Sequence, residues 1–239
     1  PEVMWDFVTP FKKEWEELGE LVRQNGIRPS FHPNQFTLFT SPKEQITQNA
    51  VIDMVYHYKM LEAMNVLDNG MLNIHIGGAY GDKEQALQRF HQNLKTLPNE
   101  IKEKMTLEND DKTYHVEETL KTCEKEKIPM VLDYHHHMAN PIEEELITYL
   151  LRIFNTWKHT SNKPKVHISS PKAANAYRSH ADYVSLDFIL PFLKMAKELN
   201  QDFDVMIEAK QKNLAMLQLV EEISSIRGVK RISGATVEW

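Results

Sequence analysis

The chain has 239 residues, 41% hydrophobic and 26% charged, a balance that suits a globular protein with one sizeable core. No apolar run approaches the roughly 20 residues that cross a bilayer, and the single cysteine, Cys123, excludes an internal disulfide, so a soluble, cytoplasmic protein is expected. The formal charge of -6 excludes a nucleic-acid binder that relies on a basic surface alone, although bound divalent cations would reverse the sign locally where a phosphate sits.

The chain opens at Pro1 inside what reads as a connecting segment, and is expected to be a fragment. From there one unit recurs six times: a short apolar segment ends in His, Asp or Glu, a polar or glycine-containing loop follows, and then a stretch with helical spacing. In chain order the segments are Ile27 to His32, Met71 to His75, Met105 to Glu108, Pro129 to Asp133, Lys165 to His167 and Asp204 to Glu208. Between them, helices are predicted from Gln45 to Met64, with Ile46, Ala50, Met54 and Leu61 on an apolar stripe, from Tyr114 to Lys127 and from Ile142 to Trp157. Apolar strands alternating with helices call for a parallel sheet covered on both faces, either doubly wound or closed into a barrel. Metal-ligand residue types at successive strand ends favour the barrel, where all strand ends share one mouth. The expected fold is therefore α/β, a TIM (β/α)8-type barrel, with residues 1–239 forming a single domain.

Imidazole and carboxylate are natural ligands of divalent metals, and a carboxylate can bridge two ions; Glu108 and Glu208 are the candidate bridges. A histidine at one strand end is more often an ordinary hydrogen-bonded residue, but nothing in core packing asks for His, Asp or Glu at every strand end. After Asp133 comes the triplet His135, His136 and His137, of which one or two fit as ligands and the rest as loop residues. Lys165 precedes His167 by two positions and so lies on the same side of its strand. Among cations it would be deprotonated, paired with a carboxylate or phosphate, or carboxylated into a ligand; the alternative is a snorkelling surface lysine. Lys83, Lys172 and Arg178 are candidates for flanking phosphates. A cluster of metals suits phosphoryl transfer, although it can also polarise a sugar.

The motifs His32-Pro33-Asn34-Gln35-Phe36, Ile74 through Gly81, Leu107-Glu108-Asn109-Asp110, Asp133 through Pro141, Pro164 through Ser170 and Ile207-Glu208-Ala209-Lys210 together resemble the ultraviolet damage endonucleases, in order and over nearly the whole chain. The resemblance implies a barrel related to endonuclease IV with a site for up to three divalent ions, Mn²⁺ ahead of Zn²⁺ or Mg²⁺. It implies an enzyme that nicks double-stranded DNA immediately 5′ of cyclobutane dimers, 6-4 photoproducts and some abasic sites. It also implies His32, His75 and Glu108 as ligands of an outer metal, with Glu108, Asp133, His167 and Glu208 around a central one. His136, Lys165 and His180 would hold the third, which settles the triplet on His136; Lys165 matches a position that carries a carboxylated lysine. Glu108, Lys165 and Glu208 are implied as catalytic, and Gln35, Phe36, Tyr80 and Lys172 as lesion or DNA contacts. Phe36 departs from the expected tyrosine, which keeps the stacking ring and removes the hydroxyl. The match begins at the family's third strand, so strands 3 to 8 are expected here and two βα units before Pro1.

The alternatives are an abasic-site endonuclease of the endonuclease IV kind, a divalent-metal sugar isomerase on a similar barrel, and a DNA-binding module with a structural cluster. No membrane and no protein partner is expected, apart from contacts at an open barrel edge.

Overall fold

A computed structural model describes residues 6–239; the connecting segment expected at Pro1 falls outside the described residues. The chain divides into two compact units, Pro1–Leu107 and Glu108–Trp239.

In the first unit α1 (Lys12–Gln24) leads to β1 (Ser30–Phe31), α2 (Glu44–Ala63), β2 (Met71–His75), α3 (Lys83–Asn93), the single turn α4 (Asn99–Lys102) and β3 (Met105–Glu108), whose last residue opens the second unit. β1 runs parallel to β2, with Ser30 opposite Met71 and Phe31 opposite Leu72. It is shorter than the expected Ile27 to His32 because the Ile27 amide closes the end of α1 on Val22 O at 2.9 Å, while Pro29 and Pro33 have no N–H to give a ladder. β2 is buried up to Ile74, and the Asn73 amide oxygen inside it accepts from Thr106 Oγ1 of β3 at 2.7 Å.

The second unit continues with α5 (Val116–Glu126), β4 (Met130–Asp133), α6 (Tyr134–Ala139), α7 (Ile147–Asn155), β5 (Lys165–Ile168), α8 (Leu186–Glu198), β6 (Asp204–Ile207) and α9 (Asn213–Ser224), and ends in a small antiparallel pair, β7 (Lys230–Arg231) and β8 (Val237–Glu238). β4, β5 and β6 are parallel, with Asp133 opposite His167 and His167 opposite Met206. β4 and β5 are buried along their length, as strands covered on both faces must be, whereas Val205 and Met206 of β6 are exposed. The amphipathic α7 seals the unit with Tyr149, Leu150, Ile153 and Phe154. Just beyond it, Thr156 Oγ1 accepts from Met130 N at 2.9 Å and the Trp157 indole donates to Met130 O at 2.7 Å, so the first residue of β4 is satisfied by side chains.

Within each unit strand neighbours follow chain order, β1-β2-β3 and β4-β5-β6. A doubly wound sheet reverses its order at a switch point; neither unit does, and the alternation is that of the TIM-barrel class. Among the described residues six strands take part, and β7 pairs only with β8. Two further segments differ from the sequence reading. The predicted helix from Ile142 begins only at Ile147, after the exposed run Glu143–Glu145, and the stretch after Asp133 is helical rather than a loop. No described helix is long and apolar enough to cross a membrane.

Leu150 is fully buried on α7. Leu150→Ala is expected to lower stability by about 2–5 kcal/mol, read as a drop in the urea midpoint at unchanged slope.

Candidate metal centre

In the second unit the strand ends bring Glu108, Asp133, His167 and Glu208 together. Glu108 closes β3 at 1% exposure and Asp133 closes β4 at 0%, while Glu208 follows β6 with its amide still donating to Ile168 O of β5 at 2.9 Å. One donor atom from each of the four lies within 4.8 Å of the others. His167 Nδ1 sits between two carboxylates, 3.3 Å from Glu108 Oε2 and 3.1 Å from Glu208 Oε1. His136 Nδ1 lies 3.6 Å from Glu108 Oε1 and 3.7 Å from Asp133 Oδ2. Several carboxylates crowded into a dry space are costly unless cations share it.

The surrounding hydrogen bonds fix which ring nitrogen carries a proton. A backbone carbonyl only accepts, so the His136 Nδ1 contact to Asn109 O at 3.0 Å and the His180 Nδ1 contact to Glu208 O at 2.7 Å place a proton on each Nδ1. A ligating histidine commonly holds a proton on one ring nitrogen through such an outer partner. In the first unit His32 does the same through Pro33 O at 3.0 Å, and its ring centre lies 5.2 Å from that of His75.

Burial pushes the Asp133 carboxyl up to about 7, further raised by Glu108 and Glu208 and only partly opposed by His136. Burial would lower His167, but the Glu108 and Glu208 carboxylates overcome it and push the imidazole up to about 10. His136 is likewise raised, by Asp133 and Glu108 against burial, and Glu208 is lowered, by its His167 contact against burial. Protons on Asp133 and His167 thus offset part of the buried negative charge. Asp133 Oδ2 and His167 Nε2 are also buried with no hydrogen-bond partner among the described residues. A set of carboxylate oxygens and imidazole nitrogens with such orphaned lone pairs fits a divalent cation.

Lys165 is 5% exposed, two residues before His167 on β5, which removes the snorkelling reading and leaves its amine inside the unit. Lys172 and Arg178 are exposed, and Arg178 Nε pairs with Asp111 of the same chain at 3.3 Å. In the first unit Gln35 is exposed and Phe36 stands 70% exposed, its amide donating to Asn34 Oδ1 at 2.8 Å in a turn that lifts the ring away from the protein. Tyr80 is also exposed, at φ +51° between Gly77 and Gly81, both at positive φ, and the Arg89 guanidinium carbon lies 5.9 Å from its ring centre.

Two residues of this neighbourhood escape sequence reasoning. The buried Asn109 side chain donates to Asp133 O and accepts from Asp133 N, both at 2.9 Å, clamping the β4 end. His135, in the triplet, places Nδ1 2.7 Å from Ser169 Oγ and Nε2 2.6 Å from Tyr177 O. Burial lowers its pKa, and both ring nitrogens are already engaged within the protein. His137 is buried on the other side of α6, its ring 6.3 Å from Tyr134. Their partners are tens of residues away, and only the adjacency of Asn109 to Glu108 hints at a role.

In comparison with known proteins, residues 1–239 match the family described as UV-endonuclease UvdE. The chain belongs to this family. A UV DNA damage endonuclease of Bacillus cereus (strain 03BB102) is 59% identical over 239 residues, 100% of this chain and 75% of that protein. One of Bacillus anthracis (strain A0248) is 58% identical over the same shares. The crystal structure of SacUVDE matches with a TM-score of 0.82 at 26% identity, over 95% of this chain and 76% of that one. D-psicose 3-epimerase from Clostridium cellulolyticum H10 matches at 0.57 and 14% identity over 84% and 71%, which shows a shared fold alone. As a member of the UV-endonuclease family the chain is a nuclease, and its buried His, Asp and Glu cluster is a candidate metal site.

The protonated cluster sets a pH dependence. His167, at about 10 folded against 6.5 unfolded, stabilises the metal-free chain fully below about pH 6.5 and loses this as pH rises through 10. Asp133, at about 7 against 3.8, loses its contribution as pH rises through 7. A divalent cation replaces both protons, so it is expected to raise the melting temperature more at about pH 8 than at about pH 6. Equal gains at both pH values would contradict cation binding at these residues.

Proposed function

We propose that this chain is a metal-dependent endodeoxyribonuclease that nicks DNA immediately 5′ of cyclobutane dimers and 6-4 photoproducts, and of some abasic sites. The observation that carries the reading is the buried Glu108, Asp133, His167 and Glu208 set in a member of the UV-endonuclease family. Its substrate is damaged double-stranded DNA, its location cytoplasmic, and residues 1–239 act as one barrel domain; no membrane or protein partner is part of the reading.

His32, His75, Glu108, Asp133, His136, Lys165, His167, His180 and Glu208 would hold up to three divalent ions, Mn²⁺ ahead of Zn²⁺ or Mg²⁺. When bound, such ions lower the pKa of water and neutralise charge on a phosphate. Glu108 and Glu208, both within 3.3 Å of His167 Nδ1, would supply the bridging carboxylates. Asn109 O and Glu208 O keep the Nδ1 protons of His136 and His180, so both rings present Nε2. The buried amine of Lys165 faces the same side of β5 as His167 and would act as a ligand once carboxylated, or as a charge partner of a bridging carboxylate. Lys172 would take a flanking phosphate. Gln35 and the exposed Phe36 would fill the gap left by an extruded lesion, and Tyr80 would stack against a neighbouring base. A damaged dinucleotide stacks and pairs badly, so extrusion itself favours the lesion over intact duplex.

The test is incubation with Mn²⁺ and three labelled duplexes, intact, abasic and photodimer-containing. Nicking 5′ of the dimer supports the reading; nicking of the abasic duplex alone replaces it with the abasic-site activity. Glu108→Gln keeps volume and removes a bridging charge, and is expected to cut the nicking rate by at least about 100-fold while the chain stays folded, as its far-UV circular dichroism would show. Near-normal nicking by the folded variant would sink the metal mechanism. Gln35→Ala is expected to lower the ratio of damaged to intact duplex binding by about 10-fold, with metal affinity unchanged; equal losses on both duplexes would refute that role.

A further inference from the structure

Between β5 and α8 the chain makes a loop that carries Lys172, Tyr177, Arg178 and His180. Its base is tied by the backbone: Pro171 bridges His180, the Lys172 amide donates to Ser179 O at 2.7 Å, the Ala181 amide to Ser170 O at 2.9 Å and the Lys210 amide to Ala181 O at 3.1 Å. Beyond that base the loop folds on itself, with Ala176 N donating to Ala173 O at 2.9 Å and Ser179 N to Ala176 O at 3.0 Å. The contacts that anchor its far part to the rest of the unit include the exposed Arg178–Asp111 pair and one buried side chain, His135 of α6.

His135 reaches both ends of the loop. Its Nε2 donates to Tyr177 O at 2.6 Å, as it must to a carbonyl, and its Nδ1 lies in hydrogen-bond contact with the Ser169 hydroxyl at 2.7 Å. The ring packs edge-on to Tyr177 at 5.7 Å and to Phe188 of α8 at 5.7 Å, and lies 5.6 Å from the ring of His180. At its own end α6 is fixed to the cluster, because Asp133 Oδ1 caps it by accepting from His136 N at 2.7 Å.

We propose that His135 is a positioning residue: held as the Nε2–H tautomer between Ser169 and Tyr177, it pins the 171–182 loop and so sets His180 and Lys172 against the carboxylate cluster. An apolar side chain of similar size would fill the space without holding a carbonyl, and a metal-ligating histidine would need a nitrogen that His135 has already used. Two adjacent histidines thus divide the work, His136 turned to the cluster and His135 to the loop. The role of His180 toward a metal rests on the function proposed above; the pinning of the loop does not.

The test therefore begins with the metal-free chain. Amide hydrogen exchange is expected to rise at least about 10-fold over residues 172–181 in His135→Ala, with β4 and β5 unchanged. His135→Gln, whose amide nitrogen can still donate to the Tyr177 carbonyl, is expected to restore most of that protection. In the second step, Mn²⁺ titration of the same variants is expected to show one class of site weakened by about 10- to 100-fold in His135→Ala, with partial rescue in His135→Gln. Should His135→Ala fail to fold, Ser169→Ala removes one of the two bonds without a large cavity and is expected to loosen the same peptides. Unchanged loop exchange in folded His135→Ala, or no rescue by glutamine, overturns the proposal. Loosening of the loop in a protein whose parent chain neither binds Mn²⁺ nor nicks DNA would support the pinning and count against the nuclease reading instead.

Discussion

The placement of His167 between two carboxylates is the interaction on which the second unit turns. Glu108 Oε2 and Glu208 Oε1 approach one imidazole nitrogen at 3.3 and 3.1 Å in a site where Glu108, Asp133 and His167 are almost wholly buried. Burial of that much negative charge is unfavourable unless positive charge accompanies it, and the fold supplies a proton on His167 and a second one shared with Asp133. A protein selected only for stability has no use for such an arrangement. One that must seize cations does, because the same geometry that holds the protons offers the cations a ready set of lone pairs.

That geometry survives because backbone groups are enlisted to hold it. Asp133 divides its carboxylate: Oδ1 caps α6 through His136 N, and Oδ2 stays buried toward the cluster without a hydrogen bond. Asn109 locks the Asp133 peptide through both its N–H and its C=O, and its own carbonyl sets the tautomer of His136. The ends of β3 and β4 therefore supply acidic side chains to the cluster and also brace the residue next to them. Removal of a support leaves the donor atoms present but loose, and metal chemistry is sensitive to displacements of this size.

The first unit treats its polar and aromatic residues in the opposite manner. Phe36 and Tyr80 are held out in solvent, one by an Asx-type turn at Asn34 and the other by a left-handed backbone flanked by positive-φ glycines and a nearby Arg89. Exposed rings of this kind gain nothing from folding, and a non-glycine residue at positive φ is mildly strained.

What the sequence by itself determined is the alternation of strand and helix and the identity of the strand-end residues. A short apolar strand with His, Asp or Glu at or beside its end, followed by a helix with an apolar stripe, is a local pattern, and β2 to β6 lie where that pattern puts them. The tertiary structure alone decided how the histidines of the triplet divide, since Asn109 lies 27 residues from His136, and Ser169 and Tyr177 lie 34 and 42 residues from His135. It decided that the residues after Asp133 coil into α6, because a cap forms only when the strand end is held still for the following amides. It decided that Lys165 is buried and that Arg178 is already paired. Residue type and periodicity are written along the chain, but burial and hydrogen-bond partnership are properties of neighbours in space, and those neighbours exist only once the strands are side by side.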